Sequence, residues 1–582
     1  KLVGIHGRAE IQGTATKELD KLVATGVNKS IPIIYYKQYL SGQNLIKETK
    51  NATNLDDYFA LIESRINRNN SAKEIIYLAK KSIELKPTSL GYYYLGVGKD
   101  EIKEYEDAIK YFSLALELDP KDTFSLNRRG LIKSKLGNNE DAIDDFTKGI
   151  KIDPRDAILL FNRGSAFNEI GKHNKAIKDF NLSLKIDPMN STVLNNRGLA
   201  KSKSGDTLGS IKDYDKALEI DPNAHTTWSN RGLSKQDLKD FQGAMEDYNQ
   251  ALKIAPNSKV ALSNRGSLLS DIGEYSKAIL DFDNAIAIDP LDHVSLNNRG
   301  NVKGELGDIS GAIKDYEEAL ILDPSNEIYW INIGFAKQEL GDFIGSISDI
   351  TKAININPEN AEYFQIRGNA YLSSGKYVQA IKDFNISIKI EPNDYISWNL
   401  RGRAKQESKD TLGAIKDFTK AIEIDPNIAT ALFNRGSAYN EIKEHQKAIN
   451  DLDDAIKIEP NNSIFWNNRG LAKDFLEDFK DSIKDYDQAI KLDSNNAIFY
   501  GNRGHVFTKI KREKDALKDF DQAIKLEPNN AIFYENRGYV FEKIKREKDA
   551  CKDYKKATLI KPEIYEKWLS SKEMNWCRNM PI

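Results

Sequence analysis

The sequence predicts an all-α protein, a solenoid of stacked helical hairpins, and three observations carry that prediction. A glycine recurs at Gly96, Gly130, Gly164, Gly198, Gly232, Gly266, Gly300, Gly334, Gly368, Gly402, Gly436, Gly470, Gly504 and Gly538, each 34 residues after the last. Twelve residues beyond each glycine stands a small side chain, Ala in eleven units and Ser at Ser210, Ser346 and Ser482. Sixteen beyond it stands Phe or Tyr in twelve units, with Ile350 and Leu452 the exceptions. Fourteen such units make up most of the chain, and self-similarity at a fixed period of this size is the mark of a repeat architecture.

Each unit reads as two helices and a stop. In Ala157 to Asn190, Leu160, Gly164 and Phe167 are spaced to share one face of a first helix, and Ala176, Phe180 and Leu184 one face of a second. The glycine has no Cβ where two helices must approach closely. In mid-helix it costs about 1 kcal/mol relative to Ala, so packing has to offset it. Proline closes the unit 24 residues after the glycine, from Pro120 to Pro562, and only Ser494 breaks the series. In most units Asp or Glu precedes that proline, which removes a backbone donor and disfavours helix at the residue before it. One hairpin cannot bury its apolar face alone, so the hairpins stack into one extended core.

With Trp228, Trp330, Trp398 and Trp466 four residues before the glycine, the pattern of Gly, Ala, Phe and Pro is similar to the tetratricopeptide repeat family. The resemblance implies a right-handed superhelical α-solenoid of about fourteen 34-residue helix-turn-helix repeats, first helices lining the concave side and second helices the convex. We expect four regions: residues 1–33, a short β remnant; 34–87, a linker and a degenerate capping repeat around Leu61 to Pro87; 88–562, the tandem array; and 563–582, a capping helix and tail.

Composition narrows the function. The 582 residues carry 85 Lys and Arg against 87 Asp and Glu, a net charge of −2, so no bulk positive field holds a nucleic acid or an anionic membrane. No apolar run approaches the length of a spanning helix, and the mean hydropathy is −0.57, so membrane insertion is not expected. At 40% hydrophobic the chain is too apolar for a disordered one. Cys551 and Cys577 are too few for a disulfide framework or a zinc ligand set, and the histidines lack metal-ligand spacing, so no metal and no cofactor is expected. The chain opens at Lys1 without Met or leader, so we expect it to be part of a longer protein, and no compartment is assigned.

The candidate binding residues are the asparagines two before the glycine: Asn162, Asn196, Asn230, Asn264, Asn298, Asn332, Asn434, Asn468, Asn502 and Asn536. Tyr94, Arg128, Ile366 and Leu400 depart from the series. The period puts the amides in one line, and an amide offers both donor and acceptor to an extended peptide backbone. This resembles the concave asparagine ladder in the repeat superhelix of O-linked N-acetylglucosamine transferases. The competing reading is that each Asn caps or bridges neighbouring helices.

Arg stands just before the glycine in twelve units, and Asp fifteen after it, as in Arg163 and Asp179 or Arg231 and Asp247. A buried guanidinium needs a partner, so we expect a structural Arg–Asp clamp between the paired helices. Ile333 keeps Asp349 without an Arg, and the first unit, with Leu95 and Tyr111, lacks both. Three residues after the glycine, where the resembled family has an aromatic, Lys stands at Lys99, Lys133, Lys201, Lys235, Lys303, Lys337, Lys405 and Lys473. We expect its alkyl stem to pack and its ammonium to sit in water. Five after the glycine, Glu169, Asp237, Asp271, Glu305, Glu339, Glu407 and Glu441 are acidic and Lys135, Lys203, Lys509 and Lys543 basic, which reads as a solvated helix face. Phe161, Asn195 and Ser229 stand where a co-chaperone carboxylate clamp needs Lys, so that ligand is not expected.

Residues 1–33 resemble the C-terminal strands of a trypsin-like serine peptidase domain, on Lys1 to Arg8 and Ile31-Pro32-Ile33. The nucleophile of that family lies upstream of such a strand, so no catalytic residue is assigned and His6 reads as a packing histidine. The expectation is therefore a protein- or peptide-binding scaffold without enzyme activity as given, with self-association through its ends as a further possibility. The alternative is the substrate-recruiting region of a fused serine peptidase.

Overall fold

The structure, a computed structural model, describes residue 52 and residues 54–66, 72–569, 574–578 and 580. Regular structure among the described residues is entirely helical. From Ser89–Glu101 and Tyr105–Leu118 to Ala531–Lys543 and Glu547–Ile560, a 13-residue first helix alternates with a 14-residue second helix. The chain divides into two compact units, residues 1–290 and 291–582, and the same packing rule operates inside each. A helix packs on the one before and the one after it, and first helices of successive hairpins also touch. This is an α-solenoid.

Local chemistry sets the ends of each helix. Asp156 accepts from the backbone N–H of Ile158 at 2.8 Å and Leu159 at 3.0 Å, capping Ala157–Glu169. The first helices end on a left-handed residue seven positions after the glycine. It is Gly at Gly137, Gly171, Gly205, Gly273, Gly307, Gly341 and Gly375, but Lys103, Lys239, Lys409, Lys443, Glu477, Lys511 and Lys545 take the same positive φ in the other hairpins. The next residue's N–H then turns back onto the last turn, as Asp240 N–H does to the Lys235 carbonyl at 2.9 Å. A side chain with Cβ pays about 1 kcal/mol for this conformation. Lys409→Gly, at φ 72°, is accordingly expected to stabilise the protein by about 1 kcal/mol. Urea unfolding reads this, and an unchanged or lower midpoint would oppose it.

The core repeats with the sequence. Phe180 is fully buried, and a Cβ built on Gly164 would lie 2.8 Å from its ring, so the bare backbone is what lets the ring in. Ala176 fills the second helix's side of the same contact with no exposed surface. Ahead of the array, Leu55–Ile66 and Ala72–Leu85 bury Leu61, Ile62, Ile75, Leu78 and Ala79 against Tyr94 and Leu95. At the other end, Pro562–Leu569 is helical, and Cys577 in the short helix Asn575–Arg578 forms a disulfide with Cys551. Two cysteines, too few for a framework, make one staple that holds Met574 and Cys577 against Ala550 and Tyr554. The expected β remnant in residues 1–33, the peptidase-like strands and His6 lie outside the described residues.

Candidate functional site

The first helix carries the candidate residues, and a charge network fixes its rotation. In all twelve hairpins that have it, the Arg before the glycine binds the Asp of its own second helix through Nε and Nη2, at 2.5–2.9 Å. This is the expected clamp, with bidentate fork geometry. Nη1 reaches one helix further back. Arg163 donates to Thr147 at 3.2 Å, Arg197 to Asn181 at 2.7 Å and Arg231 to Asp215 at 2.6 Å, so each guanidinium ties three helices together.

The expectation for the lysines is corrected here. The ammonium is not in water: Lys133, Lys201, Lys235, Lys303, Lys405 and Lys473 each reach the clamp Asp at 2.7–2.9 Å. Asp349, which lacks an Arg, takes Lys337 at 2.6 Å and Lys352 at 3.0 Å instead. Lys99, in the hairpin without either clamp residue, pairs with Asp107 at 2.8 Å and with Glu104. A carboxylate has room for two cations, and the second displaces the aromatic of the resembled pattern. Where a Phe is kept there, it lies beside the guanidinium: Phe167 is 5.9 Å from Arg163, Phe507 5.7 Å from Arg503 and Phe541 5.9 Å from Arg537. At Asp519 and Asp553 burial raises the carboxyl pKa although Arg503 and Arg537 bind it.

With the first helices so oriented, one of their faces lines a cavity of 920 Å³ in the first unit. Four successive hairpins contribute recurring positions: Asn162, Asn196 and Asn230 two before the glycine; Leu131, Ser165 and Leu199 one after it; Lys135, Glu169 and Lys203 five after it. Three of the candidate asparagines thus meet in one place. The other seven do not line it. A cleft of 630 Å³ in the second unit is lined by Gln365, Asn360 and four carboxylates, and none of the candidate asparagines lines it.

The hydrogen bonds divide the asparagine row into two kinds. Asn162 donates to Asn127 at 2.7 Å, Asn230 to Asn195 at 3.0 Å, Asn332 to Asn297 at 2.7 Å, Asn434 to Asn399 at 2.9 Å and Asn502 to Asn467 at 2.9 Å. In each pair the acceptor lies 35 residues earlier, three before the previous glycine. Every hairpin with Asn at that earlier position has its amide engaged this way. Asn196 and Asn468 instead donate to the carbonyls of Thr192 and Ile464, one turn back in their own helices. Asn264 and Asn536 are half-buried on the same face, and Asn298 accepts from Asn297 at 3.2 Å. The acceptor asparagines are absent from the candidate set, yet their recurrence three before the glycine is readable in the sequence.

Three histidines are absorbed into packing: His173 and His445 bond Asn168 and Asn440, and His293 bonds the Tyr329 hydroxyl. Burial, then the Lys509 ammonium, holds the His505 imidazole below its ordinary pKa. Among the described residues no cluster of three or more His, Cys, Asp or Glu is placed to hold a metal, and no helix is long and apolar enough to cross a membrane.

Family models described as tetratricopeptide repeat match residues 92–122, 127–191, 191–224, 225–258, 328–360, 395–428, 429–462, 464–496 and 512–562, and one described as TPR repeat matches 300–341. Together these span most of the chain. No curated protein matches it. Among solved structures, the Cut9–Hcn1 hetero-tetramer of APC/C is 14% identical, with 84% of this chain and 97% of that chain covered at a TM-score of 0.46. Yeast Tom70 is 17% identical over 73% and 97%, at 0.36. YrrB, described as a TPR protein with an unusual peptide-binding site, is 20% identical over 32% and 97%, at 0.29.

Proposed function

The chain belongs to the tetratricopeptide repeat family, and from that premise we propose that it is a protein-interaction scaffold whose asparagine row holds an extended segment of a partner. The observation that carries this reading is the convergence of Asn162, Asn196 and Asn230 on one cavity. Bridging does not exhaust these amides. Each carboxamide has two donor hydrogens and two acceptor lone pairs, and Asn230 spends one hydrogen on Asn195. What remains matches the alternating N–H and C=O of an extended chain. Rigid helices hold the amides before any ligand arrives, which lowers the ordering cost of binding.

The test is selection of peptides by the full chain from a random display library, followed by affinity measurement with Asn196→Ala combined with Asn230→Ala. Loss of about tenfold or more, with the helical circular dichroism unchanged, is the expected result. Equal affinities would return the row to inter-helix bridging.

A further inference from the structure

The last hairpin is closed by a different device from the others. Between successive hairpins, the small residue and the aromatic of a second helix receive the side chain two after the next glycine: Ile132 packs on Ala108 and Phe112, Leu268 on Ala244 and Tyr248, Val540 on Ala516 and Phe520. Ala550 and Tyr554 receive Met574 in the same way. The register is that of the repeat, since Lys572 stands 34 residues after Gly538 and Met574 two after Lys572. The terminal segment, helical at Pro562–Leu569 and Asn575–Arg578, thus stands in for a further first helix.

A covalent bond holds this stand-in where the other hairpins use an aliphatic side chain. Thirteen residues after the glycine stands Ile in eleven hairpins, Met245 and Leu517 in two, and Cys551 only in the last. Its bond to Cys577 ties the stand-in to the second helix that it covers. The remaining hold on Cys577 is small: Met574 is buried, Trp576 and Met580 are half-buried against the same cluster, and Lys555 Nζ donates to the Met580 carbonyl at 2.7 Å. The helix that carries Cys577 has four residues against thirteen in an inner first helix, too few to persist without support. A segment so held opens locally without unfolding the array, and opening uncovers the two cysteines that the closed cap buries.

We propose that the Cys551–Cys577 disulfide is a redox latch on this stand-in helix: closed, it caps the array, and opened, it lets residues 562–580 exchange with those of a second copy. A dithiol reductant opens it. One thiolate of the reductant attacks a sulfur of the disulfide and expels the other, and its second thiol resolves the mixed disulfide. Two electrons and two protons pass to Cys551 and Cys577, and the reductant becomes a disulfide. The face left bare, Ala550, Cys551 and Tyr554, is covered in the closed state by the terminal segment, so the same segment of a second copy fits it equally. Exchange therefore keeps every contact and is governed by protein concentration. Oxidised glutathione then takes two electrons and two protons from the facing thiols and joins Cys551 of one copy to Cys577 of the other.

Hydrogen exchange of the full chain, oxidised and then reduced with dithiothreitol, tests the latch. Amides in Pro562–Leu569 and Asn575–Arg578 are expected to exchange about tenfold faster after reduction, with Ala497–Lys509 unchanged. Equal protection in the two states would overturn the proposal and leave the disulfide as reinforcement of a cap that packing already holds. Exchange between copies is read by mixing Cys551→Ala with a Cys577→Ala chain of different tag length under oxidised glutathione, each variant keeping one cysteine. The mixed covalent dimer is expected to exceed either same-variant dimer by about tenfold, with a Cys551–Cys577 linkage by mass spectrometry and unchanged helical circular dichroism of both variants. Dimers in the proportions of random pairing would overturn the exchange.

Discussion

Asp247→Asn is expected to destabilise the protein by about 3 kcal/mol. Its carboxylate is almost completely buried and holds three donors: Arg231 Nε at 2.9 Å, Arg231 Nη2 at 2.7 Å and Lys235 Nζ at 2.9 Å. The isosteric amide keeps the volume and removes the charge. A guanidinium and an ammonium are then left facing a neutral group, and an uncompensated charge in a buried site is the costly outcome. Asp215, which Arg231 also binds at 2.6 Å, limits the loss to the lower end of the range for broken buried pairs. Because each hairpin touches only its neighbours, the damage is local. Amide hydrogen exchange should show the lost protection in His225–Asp237 and Phe241–Ile254 first, ahead of the global transition. Replacing Arg231, Lys235 and Asp247 together by apolar residues of similar volume should recover much of the loss, since a satisfied ion network is often no more stable than well-packed hydrophobics. A loss below about 1 kcal/mol for Asp247→Asn would place the clamp among surface ion pairs. None of the three residues lines the first-unit cavity, so peptide affinity should be unchanged.

That clamp was legible in the sequence because it joins complementary chemistry at a constant offset, Arg before the glycine and Asp fifteen after it. The hairpins were legible for the same reason, as period and residue size are properties of the chain itself. Lys133 and its equivalents were not. Their partner already had a cation, and that Asp145 Oδ2, which accepts from Arg129 Nε, also faces Lys133 is a fact of side-chain direction. The asparagine row was half legible. Its line on one helix face follows from the repeat, but whether an amide bridges depends on a second row, Asn127, Asn195, Asn297, Asn399 and Asn467, offset by 35 residues. The left-handed helix ends were hidden wherever Lys or Glu fills the place of Gly, because there the hairpin geometry overrides the local preference. The Cys551–Cys577 disulfide is likewise a product of where the last helix folds back, which spacing alone does not give.

Glycine offers the sharpest comparison, since the same substitution should give different results at two equivalent positions. At Gly402 an added Cβ would lie 2.5 Å from Phe418 Cε1, 2.7 Å from Cδ1 and 3.0 Å from Cζ. Phe418 has no exposed surface, so the ring has nowhere to retreat without moving the second helix. Overpacking of this kind costs about 1–3 kcal/mol or more, against about 1 kcal/mol gained from Ala over Gly in a helix. Gly402→Ala should therefore destabilise by about 2 kcal/mol. At Gly436 the facing residue is Leu452, and the nearest atom to the added Cβ is Leu452 Cγ at 3.2 Å. A shift of a few tenths of an ångström relieves that contact, so overpacking and helix preference should nearly cancel and leave Gly436→Ala within about 1 kcal/mol of the parent. Urea midpoints at equal slope separate the two cases. The cause can be isolated by a double-mutant cycle: Gly402→Ala with Phe418→Leu copies the Gly436 environment, and the pair should lose less than the sum of its single substitutions. Additive losses, or equal losses at Gly402 and Gly436, would mean that the ring is not what requires the glycine.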